Sequence, residues 1–234
     1  MDIKPDTTTR VQRFIEGAEM IHANAAALYG EALILRNAGA IARASVLHQI
    51  SMEECSKVDT LGAVVVSILG GQEVDDASLS KSLRDHKAKN YANAYNGEPT
   101  DEERSARERR DWDAARAAFR GLQKDFHKRM NFIKNAGLYV DYSDGNFVAP
   151  TDAVNEQVAT AFMQLNADFL RRGEDFIRLL RRIGAEPQRY ARVFHAFLSD
   201  TKAMQFEDGV GSKAIIDTIV EQMRHQLERF AREE

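Results

Sequence analysis

Ala40-Ile41-Ala42-Arg43-Ala44-Ser45-Val46-Leu47-His48-Gln49-Ile50-Ser51-Met52-Glu53-Glu54-Cys55-Ser56-Lys57-Val58-Asp59-Thr60-Leu61-Gly62-Ala63-Val64-Val65-Val66-Ser67-Ile68-Leu69 reads as one uninterrupted helix. It holds no proline, and at 1.5 Å per residue it would be roughly 45 Å long. Its apolar residues (Ile41, Val46, Leu47, Ile50, Met52, Val58, Leu61, Val64, Val65) wrap most of the way round. A helix that is apolar on nearly every face is normally central and buried. Its charges are therefore informative. Glu54 falls on the row Leu47, Ile50, Val58, Leu61, inside an apolar stripe. A carboxylate there is costly unless it is paired. Glu53 and Lys57 fall on the neighbouring row, so a surface Glu53–Lys57 pair joined by Glu54 is the plainer reading. The sharper one makes Glu54 an anchor for a basic group of another helix, or the wall of a site.

Other helices flank this one. Phe14, Ala18, Ile21, Ala25, Leu28, Ala32 and Leu35 recur at helical steps, predicting a helix from about Thr9 to Gly39. A polar helix is predicted over 77–95. Its apolar face is thin (Leu79, Leu83, Tyr91), which predicts peripheral packing. Thr100-Asp101-Glu102-Glu103 has the pattern of a capping box and opens a helix to about Asn135. Its apolar row is Trp112, Ala115, Phe119, Leu122, Phe126, Met130 and Ile133. Beside that row lie His127, Asn131, Lys134 and Asn135. Pro150-Thr151-Asp152 opens a helix to about Ile183, Pro187 starts a shorter one, and Ile215–Phe230 reads as a last amphipathic helix. Strand-like alternation is nearly confined to 138–149. The fold class is therefore all-α, in which long central helices form a bundle with a short extended turn near 138–149 and extra C-terminal helices.

At 234 residues, 44% hydrophobic and 29% charged, the chain is ordinary for a soluble protein with a full core. One cysteine, Cys55, allows no internal disulfide and fits a reducing compartment. The polar N-terminus has no signal-like apolar stretch, and the run Leu61 to Gly70 is too short to span a bilayer. A cytoplasmic protein with no membrane partner is expected. Net charge is −4, but Arg104 to Lys134 holds ten Lys/Arg against four acids, and Arg171 to Arg192 holds seven Arg against three. These stretches predict either a phosphate-facing groove or solvated helix faces with local ion pairs.

No metal is expected. Glu19-Met20-Ile21-His22 is a lone Glu-x-x-His, whereas a di-iron bundle needs two. The six histidines lack zinc-ligand spacing, and no phosphate-binding glycine loop or Gly-x-Ser-x-Gly occurs. Chemistry without a cofactor would fall to His, Lys, Tyr and carboxylates. Such residues gather in Lys134-Asn135-Ala136-Gly137-Leu138-Tyr139-Val140-Asp141-Tyr142. Gly137 suits a left-handed helix cap, and Ser143-Asp144-Gly145-Asn146 is a strong turn signal. Leu138, Tyr139 and Val140 could equally be an apolar plug with Asp141 as a cap.

Three blocks occur in order: Ser51-Met52-Glu53-Glu54-Cys55-Ser56-Lys57, Arg84-Asp85-His86-Lys87-Ala88-Lys89, and Lys134 to Tyr142. Together they resemble the AbiV family of bacterial abortive-infection proteins, a branch of the HEPN superfamily, over about residues 10–182. Leu138-Tyr139-Val140-Asp141-Tyr142 is the most specific part. The resemblance implies a helical bundle, commonly a homodimer, in anti-phage defence. It implies a HEPN/AbiV-like domain over 1–183 with helices of 184–234 packed on it. Many HEPN proteins are metal-independent ribonucleases with an Arg, a polar residue, three more residues and a His. On that pattern Lys134 takes the Arg position, Asn135 the polar one and Tyr139 the His, so both ionic positions differ. Tyrosine, with a reference pKa near 10, is a poor base at neutral pH unless a cation lowers it, and lysine lacks the planar fork of arginine. His127, on the helix face of Lys134, is a substitute acid or base suggested by spacing alone. The matched blocks add Glu53, Glu54, Lys57, His86, Lys89, Asp141 and Tyr142 as binding candidates, with Glu54 orienting the site. The implied partners are RNA, a second protomer and a phage protein activator. A non-catalytic RNA- or phage-protein-binding translation inhibitor and a purely structural scaffold are the alternatives.

Overall fold

The computed structural model describes residues 4–94 and 99–203. Helix α1 (Pro5–Asn37) and helix α2 (Ile41–Leu69) form an antiparallel pair turned at Gly39, whose φ of 79° needs a glycine. Helix α1 begins at Pro5 rather than Thr9, because proline's fixed φ suits the first helical position. Helix α2 is central, as its pattern predicts. It packs on α1, on α8 (Glu156–Ala185), on α6 (Trp112–Ala136) and on α4 (His86–Asn93). Val11, Ile15, Val58, Val65, Leu69, Ile177 and Leu180 make the main core, and Phe194 of α9 (Pro187–Ala203) joins it. A second cluster of Ala25, Met52, Cys55, Met130 and Phe169 lies halfway along α2. Ala42, Ile133 and Val154 close the far end.

Small residues let the helices approach. A Cβ on Gly62 would lie 2.2 Å from the Phe176 ring, and one on Gly184 would lie 2.8 Å from Ile15. Gly184 is thus a contact point rather than a helix end, and α8 runs on to Ala185.

Three predicted helices are each broken once. The 77–95 helix divides at Asp85 into α3 (Asp76–Arg84) and α4. Helix α4 is not peripheral: its Lys89, Asn90 and Asn93 are buried. The helix opened by Thr100, whose hydroxyl caps Glu103 N at 3.2 Å, divides into α5 (Asp101–Glu108) and α6. Arg110 takes φ 58° at the break, and Asp111 recaps the chain through Ala114 N. The third divides into α7 (Pro150–Ala153) and α8, where Asn155 accepts from Val158 N while Val154 drops into the core. The reading of Ile215–Phe230 lies outside the described residues. Among the described residues no helix is long and apolar enough to cross a membrane.

Two short strands, β1 (Asp141–Ser143) and β2 (Asn146–Val148), pair antiparallel with Tyr142 opposite Phe147. Asp144 and Gly145 both take positive φ, 51° and 82°, as a two-residue hairpin turn requires. Gly137, by contrast, keeps a right-handed φ of −79°. It is glycine because a Cβ there would lie 2.5 Å from Val46 Cγ2 and 2.8 Å from the Ala42 carbonyl oxygen.

Candidate functional site

Helix α2 carries a run of polar residues that a central helix must pair. Glu53 is 3% exposed, and three groups from two helices surround its carboxylate. Gln49 Nε2 donates to its Oε1 at 2.9 Å. His86 Nδ1 lies 2.5 Å and Lys89 Nζ 3.4 Å from its Oε2. Burial strengthens each of these contacts and makes the loss of any partner expensive. The next turn of α4 adds Asn93, whose Nδ2 donates to the Met52 carbonyl at 3.0 Å. Asn90 Nδ2 sits 3.3 Å from His127 Nδ1 on α6. One short helix, polar on its inner side, thus ties α2 to α6.

Glu54, not Glu53, was the carboxylate expected in the buried stripe. The structure reverses the two. Glu54 is half-buried on the α1 side, ion-paired with Lys57 and accepting from Asn24 Nδ2 at 3.3 Å. Lys57 is therefore Glu54's partner, and neither joins the Glu53 cluster.

A second polar network, with no counterpart in the sequence reading, joins α2 to α8. Ser51, Asn166 and His48 are fully buried. Ser51 Oγ donates to the Ala25 carbonyl at 2.7 Å and lies 3.0 Å from Asn166 Oδ1, while Asn166 Nδ2 lies 3.1 Å from His48 Nδ1. Burial, aided by Arg36, pushes the His48 imidazole down to about 4, so the ring is neutral. The signal was a His and a Ser three residues apart in a helix whose apolar pattern marks it as central.

The Lys134–Tyr142 end faces solvent. Lys134 is half-buried and Asn135 exposed on the last turn of α6. Tyr139 is 63% exposed and is held by a backbone bond from its N–H to the Asn135 carbonyl at 3.0 Å. Asp141 and Tyr142 sit on the exposed hairpin, where Asp141 Oδ1 takes the Tyr142 N–H at 2.8 Å and the Tyr142 and Phe147 rings lie 5.0 Å apart. The apolar-plug reading does not hold: Tyr139, Val140, Tyr142 and Phe147 are all more than 60% exposed. Nor do all the candidates converge. His127 sits two turns before Lys134, about 10 Å along the helix axis, and turns to α4.

The cations divide by position. In α5, the start of α6 and α8, Arg107, Arg116, Arg171 and Arg178 are paired with carboxylates three or four residues away. Those stretches are ion-paired helix faces. Farther along α6, Arg120, Lys124 and Lys128 follow one another at four-residue steps, with Arg129 and Lys134 beside them. None of these five has an ion-pair partner among the described residues. Like charges at that spacing repel, so the row weakens the helix that carries it. It leads to Asn135 and the hairpin aromatics. An apolar groove of about 470 Å³, with Lys128 and Arg129 at its edge, runs alongside over Phe132, Val158 and Phe162. Among the described residues no group of three or more His, Cys, Asp or Glu could hold a metal ion.

A family model described as AbiV, of HEPN type, matches residues 13–171. The chain is 36% identical over 110 residues to an uncharacterized protein, y4gJ, of Sinorhizobium fredii (strain NBRC 101917 / NGR234). That stretch is 47% of this chain and 57% of the relative, so the likeness spans little more than half of the relative's length. No solved structure matches.

Proposed function

Because the chain belongs to the AbiV family, we propose that it is an abortive-infection protein acting on RNA through the end of α6 and the hairpin that follows. The carrying observation is the unpaired cationic row Arg120, Lys124, Lys128 ending at Lys134, Asn135 and Tyr139. Phosphate oxygens are the natural partners of such a row, since each contact releases a condensed counterion. Aromatic faces next to it suit bases. In this reading Lys134 and Asn135 hold the scissile phosphate. The neighbouring 2′-hydroxyl attacks it, closing a cyclic phosphate as the bond from phosphorus to the 5′-oxygen breaks; the Tyr139 phenol gives its proton to the leaving 5′-oxygen, and the proton lost by the 2′-hydroxyl replaces it. A second protomer would bring a second such end to the same RNA.

Purified protein with total RNA, without added metal, tests this. Cleavage that is lost in Lys134→Ala and Tyr139→Phe is expected. Cleavage unchanged in both variants would overturn the catalytic assignment.

One observation favours a second reading, a non-catalytic RNA-binding inhibitor of translation. Lys134 and Tyr139 stand where the HEPN pattern has Arg and His, and His127 is engaged with Asn90 rather than placed beside Tyr139. Salt-sensitive RNA binding without products would select this reading.

A further inference from the structure

Helices α6 and α8 both pack on α2, and the apolar groove of about 470 Å³ runs between them. Its floor belongs to the core: Ile133 of α6 packs with Val158 and Phe162 of α8. Phe132 stands beside that floor with 58% of its surface exposed. Contiguous exposed apolar surface marks a binding site more often than a scattered apolar residue does. Among the described residues, Lys128 and Arg129 are the only polar side chains of the groove. They precede Phe132 and Ile133 by one helical turn, so both charges gather at one end. Arg129 also borders a cleft lined by Glu102 and Asp125, and it pairs with neither.

This composition selects a ligand by exclusion. No carboxylate, hydroxyl or amide side chain faces the groove among the described residues. A sugar, an amino acid or an extended peptide would bury polar groups there with nothing to receive them. An alkyl chain has none to lose, and two unpaired cations at one end call for an anionic head. The volume falls within the usual range of small-ligand sites. We propose that the groove binds a free fatty acid anion, its carboxylate on Lys128 and Arg129 and its chain over Phe132, Ile133 and Phe162. From Lys128 to Ile133 α6 rises only about 8 Å, which suits a medium chain better than a long one. Lys128 belongs also to the row offered to RNA, but the site is read without RNA, so either assignment can fail alone.

Calorimetric titration of the full chain with sodium decanoate, below its micelle concentration, tests the site. Saturable binding is expected. Butyrate, which lacks the chain, and decyltrimethylammonium, which reverses the charge, should each bind more weakly by roughly tenfold or more. The Lys128→Gln/Arg129→Gln pair should lose roughly tenfold or more in affinity, because it removes the charge-assisted contacts. Ala161→Trp puts an indole into the groove and should abolish binding. All three substitutions are at exposed positions, and an unchanged circular dichroism spectrum checks that the variants are folded. Arg171→Gln, at a residue paired with Asp168 outside the groove, should bind as wild type does. No binding at millimolar decanoate, or butyrate or decyltrimethylammonium as tight as decanoate, would overturn the proposal. So would wild-type affinity in the Lys128/Arg129 pair or in Ala161→Trp, or a matching loss in Arg171→Gln. Retention on phosphatidylglycerol vesicles free of fatty acid would make the groove a membrane contact and overturn it as well.

Discussion

Glu53 and His86 meet at 2.5 Å across the α2–α4 contact, and Lys89 reaches the same carboxylate oxygen. Glu53 is thus the shared anchor of α4. Glu53→Ala leaves the Lys89 ammonium buried without a carboxylate and should cost about 3–5 kcal/mol. Lys89→Met removes the charge and leaves Glu53 with Gln49 and His86, so it should cost far less. Urea unfolding of the two variants checks the order; equal losses would show that the anchor is not shared.

Gly137→Ala should destabilise by about 1–3 kcal/mol, because the new methyl meets the Ala42 backbone as well as Val46. Gly30, inside α1 with nothing within 4 Å of a built Cβ, offers the control. Gly30→Ala should stabilise by about 0.5–1 kcal/mol through helix propensity. Thermal melts read both signs.

The neutral, buried His48 makes stability depend on pH. Its folded value of about 4 lies below the ordinary 6.5, so between the two the unfolded chain binds the proton and the folded chain does not. Stability from this group is full above pH 6.5 and falls as pH drops toward 4, by about 2 kcal/mol at pH 5. Comparing urea midpoints at pH 7 and pH 5 in wild type and His48→Gln isolates the effect. A pH dependence that survives the substitution would assign it elsewhere.

Cys55 should resist alkylation. Burial, with Asp59 and Glu54 adding to it, pushes the thiol up to about 12. At pH 8 only about one molecule in ten thousand then carries the reactive thiolate. Labelling with iodoacetamide should proceed only on unfolding, so its rate should rise with urea as the unfolded fraction does.

The row Arg120, Lys124, Lys128 predicts a salt signature. Lys124→Gln and Lys128→Gln should each weaken RNA binding and lower the slope of log affinity against log salt by about 0.7–0.9. Arg171→Gln, at a residue already paired with Asp168, should leave the slope unchanged. Fluorescence anisotropy across a salt series measures all three.

The helical class and the central place of α2 were legible because apolar spacing reports them directly. The hairpin was legible because Asp144-Gly145 can hardly do anything else. The breaks at Asp85 and Arg110 were not, since neither carries a glycine or proline; Asn155 did offer a cap signal. The exchange of Glu53 and Glu54 has another cause. A helix buried on nearly all sides gives periodicity no solvent face to measure from, so two adjacent carboxylates cannot be ranked. Helix α4 escaped for the opposite reason. It docks through Lys89, Asn90 and Asn93, and a polar interface leaves no hydrophobic pattern. At the far end, the spacing of Lys134, Asn135 and Tyr139 could not decide between a solvent-facing cluster and an apolar plug.

Ahead of the hairpin, the end of α6 sits on the bundle through a residue with no side chain, where Gly137 rests against the backbone of Ala42. The hairpin's own residues from Asp141 to Phe147 all face solvent. Substitutions there cost the core nothing, while Gly137 admits none. Selection can therefore rewrite the hairpin, generation after generation, without renegotiating the stability of the protein that carries it.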